Sequence, residues 1–411
     1  MAIIRAFRAL RPIVEKADLV ASVPYDVVNT EEAKELAKGN PYSFLHVIRP
    51  EIDLPDGIDP YDERVYKKAR ENMEKLIKQK ILVEEAEPSL YIYRLSTDGH
   101  SQTGVVGCLS VDEYDRGIIK KHELTRKVKE DDRVRHMLAT SAHTGPVLVT
   151  FREDVGLKAI IKENAATIPI YDFTAPDGVR HTIWRVEDWS EIKKAFRRIP
   201  SLYIADGHHR AAGASRVQKE MIKKLTGEGR DISGDEEFNY FLAVVFPSDE
   251  LRIQPYNRYV KDLGKMDEEA FLSSLGNTVK VEETDSKIPS RKGIICMYLG
   301  KKWYKLDLPE SGYVSDDPVG SLDISVFQRL ILEPILGIID QKKDPRIDFV
   351  GGDGSVEKIE MLVDTKGGVG FSFYPVNIEE LIAVADAGKI MPPKSTWFSP
   401  KLRSGLLIHG F

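Results

Sequence analysis

The chain has 411 residues, 42% hydrophobic and 30% charged, which excludes a mini-protein and a disordered chain and predicts two to three domains with ordinary apolar cores. Lys and Arg number 59 against 65 Asp and Glu, a formal charge of −6, which argues against a nucleic-acid or anionic-membrane surface and leaves small anionic ligands open. The two cysteines, Cys108 and Cys296, stand far apart in apolar surroundings and read as buried thiols, not as a disulfide or a metal site. No apolar run reaches membrane-span length and the first residues lack a signal peptide's apolar stretch, so the expected location is the cytoplasm.

In chain order, Ser22-Val23-Pro24-Tyr25-Asp26-Val27-Val28-Asn29-Thr30-Glu31-Glu32 reads as strand, tight turn and helix start, with Thr30 as the N-cap. Tyr25, Asp26 and Asn29 are candidates to hold an amino or hydroxyl group of a substrate at a pocket mouth. A turn followed by a capping box also accounts for the stretch, and taken alone that is the stronger reading. His46 reads as a satisfied core histidine. Apolar residues at helical spacing predict helices over 61–79, 188–198, 208–225 and 322–336. Short apolar runs at 90–93, 105–109, 147–151, 202–205 and 242–246 predict strands.

The class is therefore mixed α/β (α+β). Polar stretches at 98–103 and 227–236 place soft boundaries near 95 and 235, giving an N-terminal α/β region 1–95, a central region 96–235 and a C-terminal region 236–411. Strands from distant segments could enter one sheet, which would make a domain discontinuous.

The segment from Lys120 to Arg133 mixes cations, carboxylates and His122. A solvated charged face explains such a run as well as a site does. Read as a site, Glu123 is the candidate base or Mg²⁺ ligand and Asp132 a second ligand, while Lys129 and Arg133 are cations for phosphate oxygens. Asp131 or Asp132 could instead cap the following helix.

The sharpest signal is Leu202-Tyr203-Ile204-Ala205-Asp206-Gly207-His208-His209-Arg210, an apolar strand, a glycine turn and an Ala-rich helix opening with cations. Free amides and the positive dipole end at a helix start attract an anion, Gly207 permits close backbone approach, and Arg210 can clamp. Asp206, Gly207, His208, His209 and Arg210 are the candidate phosphate group, and His209 is also a candidate catalytic group. A metal held by both histidines is weaker, because adjacent helix residues do not point at one centre. A capped helix with Asp206 near its N-cap is the bland alternative.

Residues 346–353 read as a strand entering a glycine turn. Near the end, Lys394, Ser395 and Thr396 could also meet a phosphate, while Trp397 and Phe398 pack the segment down. P-loop, nucleophile-elbow, zincin and Gly-x-Gly-x-x-Gly motifs are absent.

With these residues in view, the chain resembles the family catalogued as domain of unknown function 1015. The likeness runs through Phe7-Arg8-Ala9-Leu10-Arg11-Pro12, Pro24-Tyr25-Asp26-Val27, Asp206-Gly207-His208-His209-Arg210 and Met391-Pro392-Pro393-Lys394-Ser395-Thr396. Locally, Asp206 to Arg210 with the Ala-rich helix is similar to the phosphate-binding turn of the ParB and sulfiredoxin superfamily, where a Gly-x-x-Arg element holds nucleotide phosphates.

That resemblance implies a nucleotide-binding core of this type with additional α/β elements, and phosphate contacts at Gly207, His208, His209 and Arg210. A sulfiredoxin-like activity would want a cysteine where His208 stands, and a partition protein a helix-turn-helix with a basic face. A kinase of free serine survives this elimination. The expectation is a phosphotransferase using ATP or ADP with Mg²⁺ on a small hydroxyl-bearing metabolite, free L-serine or phosphoserine in reverse, with a homo-oligomer left open. The alternatives are a noncatalytic nucleotide-sensing module and a phosphoserine phosphatase-like hydrolase.

Overall fold

The apolar runs assemble into sheets and the charged, periodic segments into helices that cover them. In the computed structural model, which describes residues 2–411, the chain forms two units, Met1–Leu251 with Pro400–Phe411, and Arg252–Ser399.

The first unit holds a nine-stranded mixed sheet of β1 (Ile4–Arg5), β2 (Tyr91–Thr97), β3 (His100–Ser110), β4 (Ile119–Lys120), β5 (Val147–Phe151), β6 (Tyr171–Thr174), β7 (Arg180–Arg185), β8 (Leu202–Asp206) and β9 (Tyr240–Pro247). Their order is β4-β8-β5-β9-β3-β2-β7-β6, with β1 paired to β3. β8 runs parallel to β4 and antiparallel to β5, and β9 runs parallel to β5. Val105, Val147, Val149, Ile204, Ala243 and Val245 are fully or nearly buried in its main core, as strands covered on both faces require.

Four helices matter to the site: α1 (Thr30–Ala37), α2 (Glu63–Lys78), α3 (Lys127–Thr140) and α4 (His208–Gly227). α2 packs on α3 and α3 on α4. The second contact needs a glycine, since a Cβ at Gly213 would stand 3.2 Å from the Arg133 Cβ and 3.3 Å from the Met137 Cε. A smaller sheet pairs Ala9–Pro12 with Leu82–Glu84 and with Ile408–Gly410, which also pairs with Ala142–His143. The last segment of the chain thereby becomes an internal strand of the first unit.

The second unit is a six-stranded antiparallel sheet in the order Lys280–Glu283, Lys302–Asp307, Ile294–Leu299, Val369–Phe373, Tyr256–Val260, Ile347–Gly351. Helix α5 (Ser355–Lys366) covers one face through Val356, Ile359 and Val363. A two-residue ribbon joins Ile253–Gln254 to Trp397–Phe398 at its stem.

The boundaries read near 95 and 235 do not separate the units. Residue 95 lies inside β2, whose hairpin with β3 belongs to one sheet, and 235 precedes β9 of that same sheet. The discontinuity is real, but its joints are at 251 and 400. The N-cap of α1 is Asn29, not Thr30: the Asn29 side chain accepts from the Glu32 amide and the Glu32 carboxylate accepts from the Asn29 amide. The helix expected over 322–336 is a short α-turn, Asp323–Phe327, passing into π-turns over Gln328–Leu332. Pro334 has no N–H to donate to the preceding turn and ends it early. Asp131 and Asp132 lie within α3 and cap nothing. Both cysteines are free and buried.

Candidate functional site

β8 ends at Asp206, the chain turns at Gly207, and α4 begins at His208. Gly207 has φ +96°, a left-handed conformation that costs any other L-residue energy. A Cβ there would stand 2.9 Å from the Arg210 Nε and Nη2, so the glycine also lets the guanidinium fold back over the turn. The first amides of α4 have no acceptor within the helix, and the helix dipole adds positive potential at the same point.

Asp206 is held by Lys401, Nζ to Oδ2 at 2.9 Å. Burial works against its charge, but Lys401 and Arg210 outweigh burial and hold its carboxyl far below the usual range. Arg210 is 8% exposed. It donates through Nη1 to the Pro146 carbonyl, while its Nε has no partner.

The charged loop after β4 lies against this turn. The His122 amide donates to the His208 Nε2 at 3.5 Å, and the Arg126 amide to the His209 Nε2 at 3.1 Å. The His122 and His208 rings meet edge to face at 4.5 Å. Because both Nε2 atoms accept, both imidazoles carry their proton on Nδ1, and the His208 Nδ1 faces the Glu123 Oε2 at 3.8 Å. Burial pushes His208 down to about 3 and lowers His209 as well, against the pull of Glu123 on the latter. The Glu123 side chain itself is 41% exposed.

α3 brings a second cation. Arg133 places its guanidinium 3.6 Å above the Tyr25 ring and donates to one Asp132 oxygen at 2.7 Å through Nη2 and 3.1 Å through Nε. The other Asp132 oxygen takes the Tyr66 hydroxyl at 3.0 Å. Asp132 is thereby committed to holding Arg133 and is not free to ligate a metal. Among the described residues, no three His, Cys, Asp or Glu side chains gather as a metal site. Lys129 stands 5.5 Å over the Tyr61 ring and its charge reaches His209. Asp26 is exposed at the same mouth, where its charge acts on Tyr25, Arg133 and His209.

Of the sequence candidates, Tyr25, Asp26, Glu123, Lys129, Arg133 and the turn from Asp206 to Arg210 belong to one neighbourhood of the first unit. Asn29 is spent on its capping box. Lys394, Ser395 and Thr396 are in the second unit, where Lys394 lies 5.2 Å over the Tyr256 ring and the Ser395 hydroxyl donates to the Pro392 carbonyl at 2.7 Å. His46 is satisfied by Asp53 at 2.8 Å and the Asn40 carbonyl at 3.2 Å.

Sequence reading placed His143 and Thr144 with the charged stretch and Lys401 and Ser404 in the C-terminal segment, without joining them to the Gly207 turn. His143, Thr144 and Ser404 join Tyr25, Arg133 and Arg210 around a pocket of about 20 Å³. No local motif marks them, since each reaches the site through long-range pairing.

A mixed sheet with a strand running through a glycine turn into a cation-bearing helix start defines an α+β protein with a candidate anion-binding turn. Residues 4–325 match the family described as Protein of unknown function (DUF1015), and the chain belongs to that family. Among solved structures, a conserved hypothetical protein from Pyrococcus furiosus is 13% identical with a TM-score of 0.35, covering 74% of this chain and 94% of that one. A free serine kinase variant in complex with AMP is 12% identical at TM-score 0.37, covering 74% and 92%. SbnI from Staphylococcus aureus, truncated at its C-terminus, is 13% identical at 0.37, covering 74% and 87%. TM-scores of this size define no equivalent residues. No curated protein matches the chain.

Proposed function

We propose that this protein is a nucleotide-dependent phosphotransferase acting on a small hydroxyl-bearing metabolite, with free L-serine, or phosphoserine in the reverse direction, as the favoured substrate. The observation that carries this reading is the meeting of the 122–126 loop with the start of α4, which sets a partly exposed carboxylate beside a buried, cation-bearing helix start.

In this reading the phosphates of ATP or ADP sit on the first amides of α4, clamped by Arg210 with Lys129 and Arg133 adding positive charge. The neutral imidazoles of His208 and His209 border that site without competing for the negative charge. The acceptor oxygen attacks the terminal phosphorus, the bond from that phosphorus to the nucleotide oxygen breaks, and the hydroxyl proton passes to Glu123. Asp26 and Tyr25 line the side from which the acceptor enters.

Glu123 alone is a poor metal site, and Asp132 is already taken. Magnesium is bound in such enzymes by one or two carboxylates plus substrate phosphates, so in this reading it enters on the nucleotide and no step is assigned to a protein-built metal centre.

The test is phosphorus NMR of the purified protein with Mg²⁺, ATP or ADP, and serine or phosphoserine. Transfer in either direction supports the reading. Phosphate released from phosphoserine without nucleotide would replace it with a hydrolase, and nucleotide binding without any reaction would replace it with a sensor.

A further inference from the structure

A cleft of about 300 Å³ in the first unit is lined by residues of β1, of the start of β9 and of the helix Ser190–Phe196 with the residue after it. Its room reaches the lower end of the roughly 300–1,000 Å³ of small-molecule sites, and none of its residues belongs to the Gly207 neighbourhood. Ile3 and Ile4 give it an apolar lining, with half of the Ile3 surface, 50%, open. Arg5 lies 4.4 Å over the Tyr240 ring and meets the Glu237 Oε1 at 2.9 Å, with Asp235 at 3.7 Å, so its charge is already answered.

The helix treats its cations unequally. Lys194 pairs with Glu191 at 2.6 Å and Arg198 with Asp154 at 3.5 Å. Lys193 and Arg197, which line the cleft, have no carboxylate partner among the described residues, and the Lys193 Nζ only stands 4.8 Å over the Trp189 ring. The two are one turn apart, the Arg197 amide donating to the Lys193 carbonyl at 3.3 Å. A helix end favours cations, which accounts for all four but not for leaving unpaired the two that line the cleft. Like charges four residues apart repel, and an anion between them replaces that repulsion with two attractions.

We propose that this cleft binds a small organic anion, its carboxylate or phosphate end on Lys193 and Arg197 and its apolar, ring-sized body against Ile3 and Tyr240. Serine and phosphoserine carry no apolar body, so this ligand is a different molecule from the proposed acceptor, and the inference does not rest on the phosphotransferase reading.

Calorimetric titration of the full chain with phenyl phosphate and with phenylacetate tests it. Benzyl alcohol lacks the charge, and inorganic phosphate and acetate lack the body. At least one aromatic anion is expected to bind at least about tenfold more tightly than benzyl alcohol and than its own bare ion, and the tighter of the two identifies the end group. Lys193→Ala combined with Arg197→Ala is expected to weaken that binding about tenfold or more. Lys194→Ala combined with Arg198→Ala removes the same charge from the same helix outside the cleft, and Arg210→Ala removes a cation from the candidate turn; each is expected to leave the affinity within about twofold. Arg197→Gln alone serves should the first pair fail to fold.

Failure of both aromatic anions to bind overturns the proposal. Benzyl alcohol binding as tightly makes the cleft an apolar groove, and bare ions binding as tightly make it an ion site without use for its apolar lining; either overturns it. An equal loss in the Lys194 and Arg198 pair shows a diffuse field, and a loss confined to Arg210→Ala moves the binding to the Gly207 turn, and both overturn it too.

Discussion

The Lys401 Nζ lies 2.9 Å from the Asp206 Oδ2, tying the strand end that precedes the Gly207 turn to a residue almost two hundred positions later. The pair is partly buried, with side chains 17% and 29% exposed. Replacing Lys401 with Met leaves Asp206 short of a charged donor and is expected to cost about 1–3 kcal/mol in urea denaturation. The sign of the pH effect follows from the depressed Asp206 carboxyl. Its contribution is present above the unfolded pKa of about 3.9 and is lost as pH falls through the folded value. Lys401→Met should therefore lose less stability than the parent chain on acidification below about pH 4. An identical acid profile would show that the pair does not set the Asp206 charge.

Gly207→Ala tests the turn. The φ of +96° is strained for alanine by about 1–2 kcal/mol, and the new methyl would press on the Arg210 guanidinium. Lowered stability with a parallel loss of nucleotide affinity is expected. Gly213→Val should separate α3 from α4 at Arg133 and cost about 1–3 kcal/mol, read from the shift of the unfolding midpoint.

Glu123→Gln keeps the shape of the side chain and removes its basicity. Phosphoryl transfer followed by phosphorus NMR should fall to background while nucleotide binding persists. Undiminished transfer would remove Glu123 as the base. Arg210→Ala should weaken nucleotide binding by about 1.5–3 kcal/mol, tenfold or more, and lysine there should restore little, since a point charge cannot reproduce the fork.

Buried histidines set a second pH window. Burial pushes His208 and His181 down to about 3 and His136 to about 4, against about 6.5 in the unfolded chain. As pH falls below 6.5 the unfolded chain takes up protons that the folded chain refuses, so stability declines by about 1.4 kcal/mol per pH unit for each histidine until its folded value is reached. His46, raised by its bond to Asp53 despite burial, opposes one of them. His136→Gln keeps a donor for the Val47 carbonyl, which the His136 Nε2 meets at 2.9 Å. Its urea midpoint should fall less steeply between pH 6 and 5, by about one proton; an unchanged slope would mean that His136 is charged in the folded protein.

Local chemistry was legible in the sequence. β8, the Gly207 turn and α4 are contiguous, and an apolar run, a glycine and an alanine-rich helix announce themselves without reference to the rest of the chain. The segment from 120 to 136 announced its charge but not its direction. Only β4, which pairs in parallel with β8, lays the loop after it on His208 and His209. Asp132 was misjudged because a carboxylate next to an arginine looks the same whether it waits for a metal or holds its neighbour; Tyr66, far back on α2, decides the matter. Lys401, His143 and Ser404 were legible only as parts of their own segments, since strand pairing and a buried tail bring them to the turn. The joints at 251 and 400 were invisible for another reason: the inserted unit has the same α/β patterning as its host, so composition does not change across them.

The chain order of the first unit sets a timetable for its assembly. Asp206, Gly207 and Arg210 are synthesised long before Lys401 and Ser404, and all of 252–399 comes between them. Until that stretch has left the ribosome, the partner of Asp206 and the middle strand between Ala9–Pro12 and Ala142–His143 do not exist. The inserted unit eases the wait: its own folding brings Ser399 to Arg252, amide to carbonyl at 3.2 Å, which turns a long loop closure into a short one. The first unit is thus a part-made body until residues 400–411 are made, and its candidate anion-binding turn waits on them for Lys401.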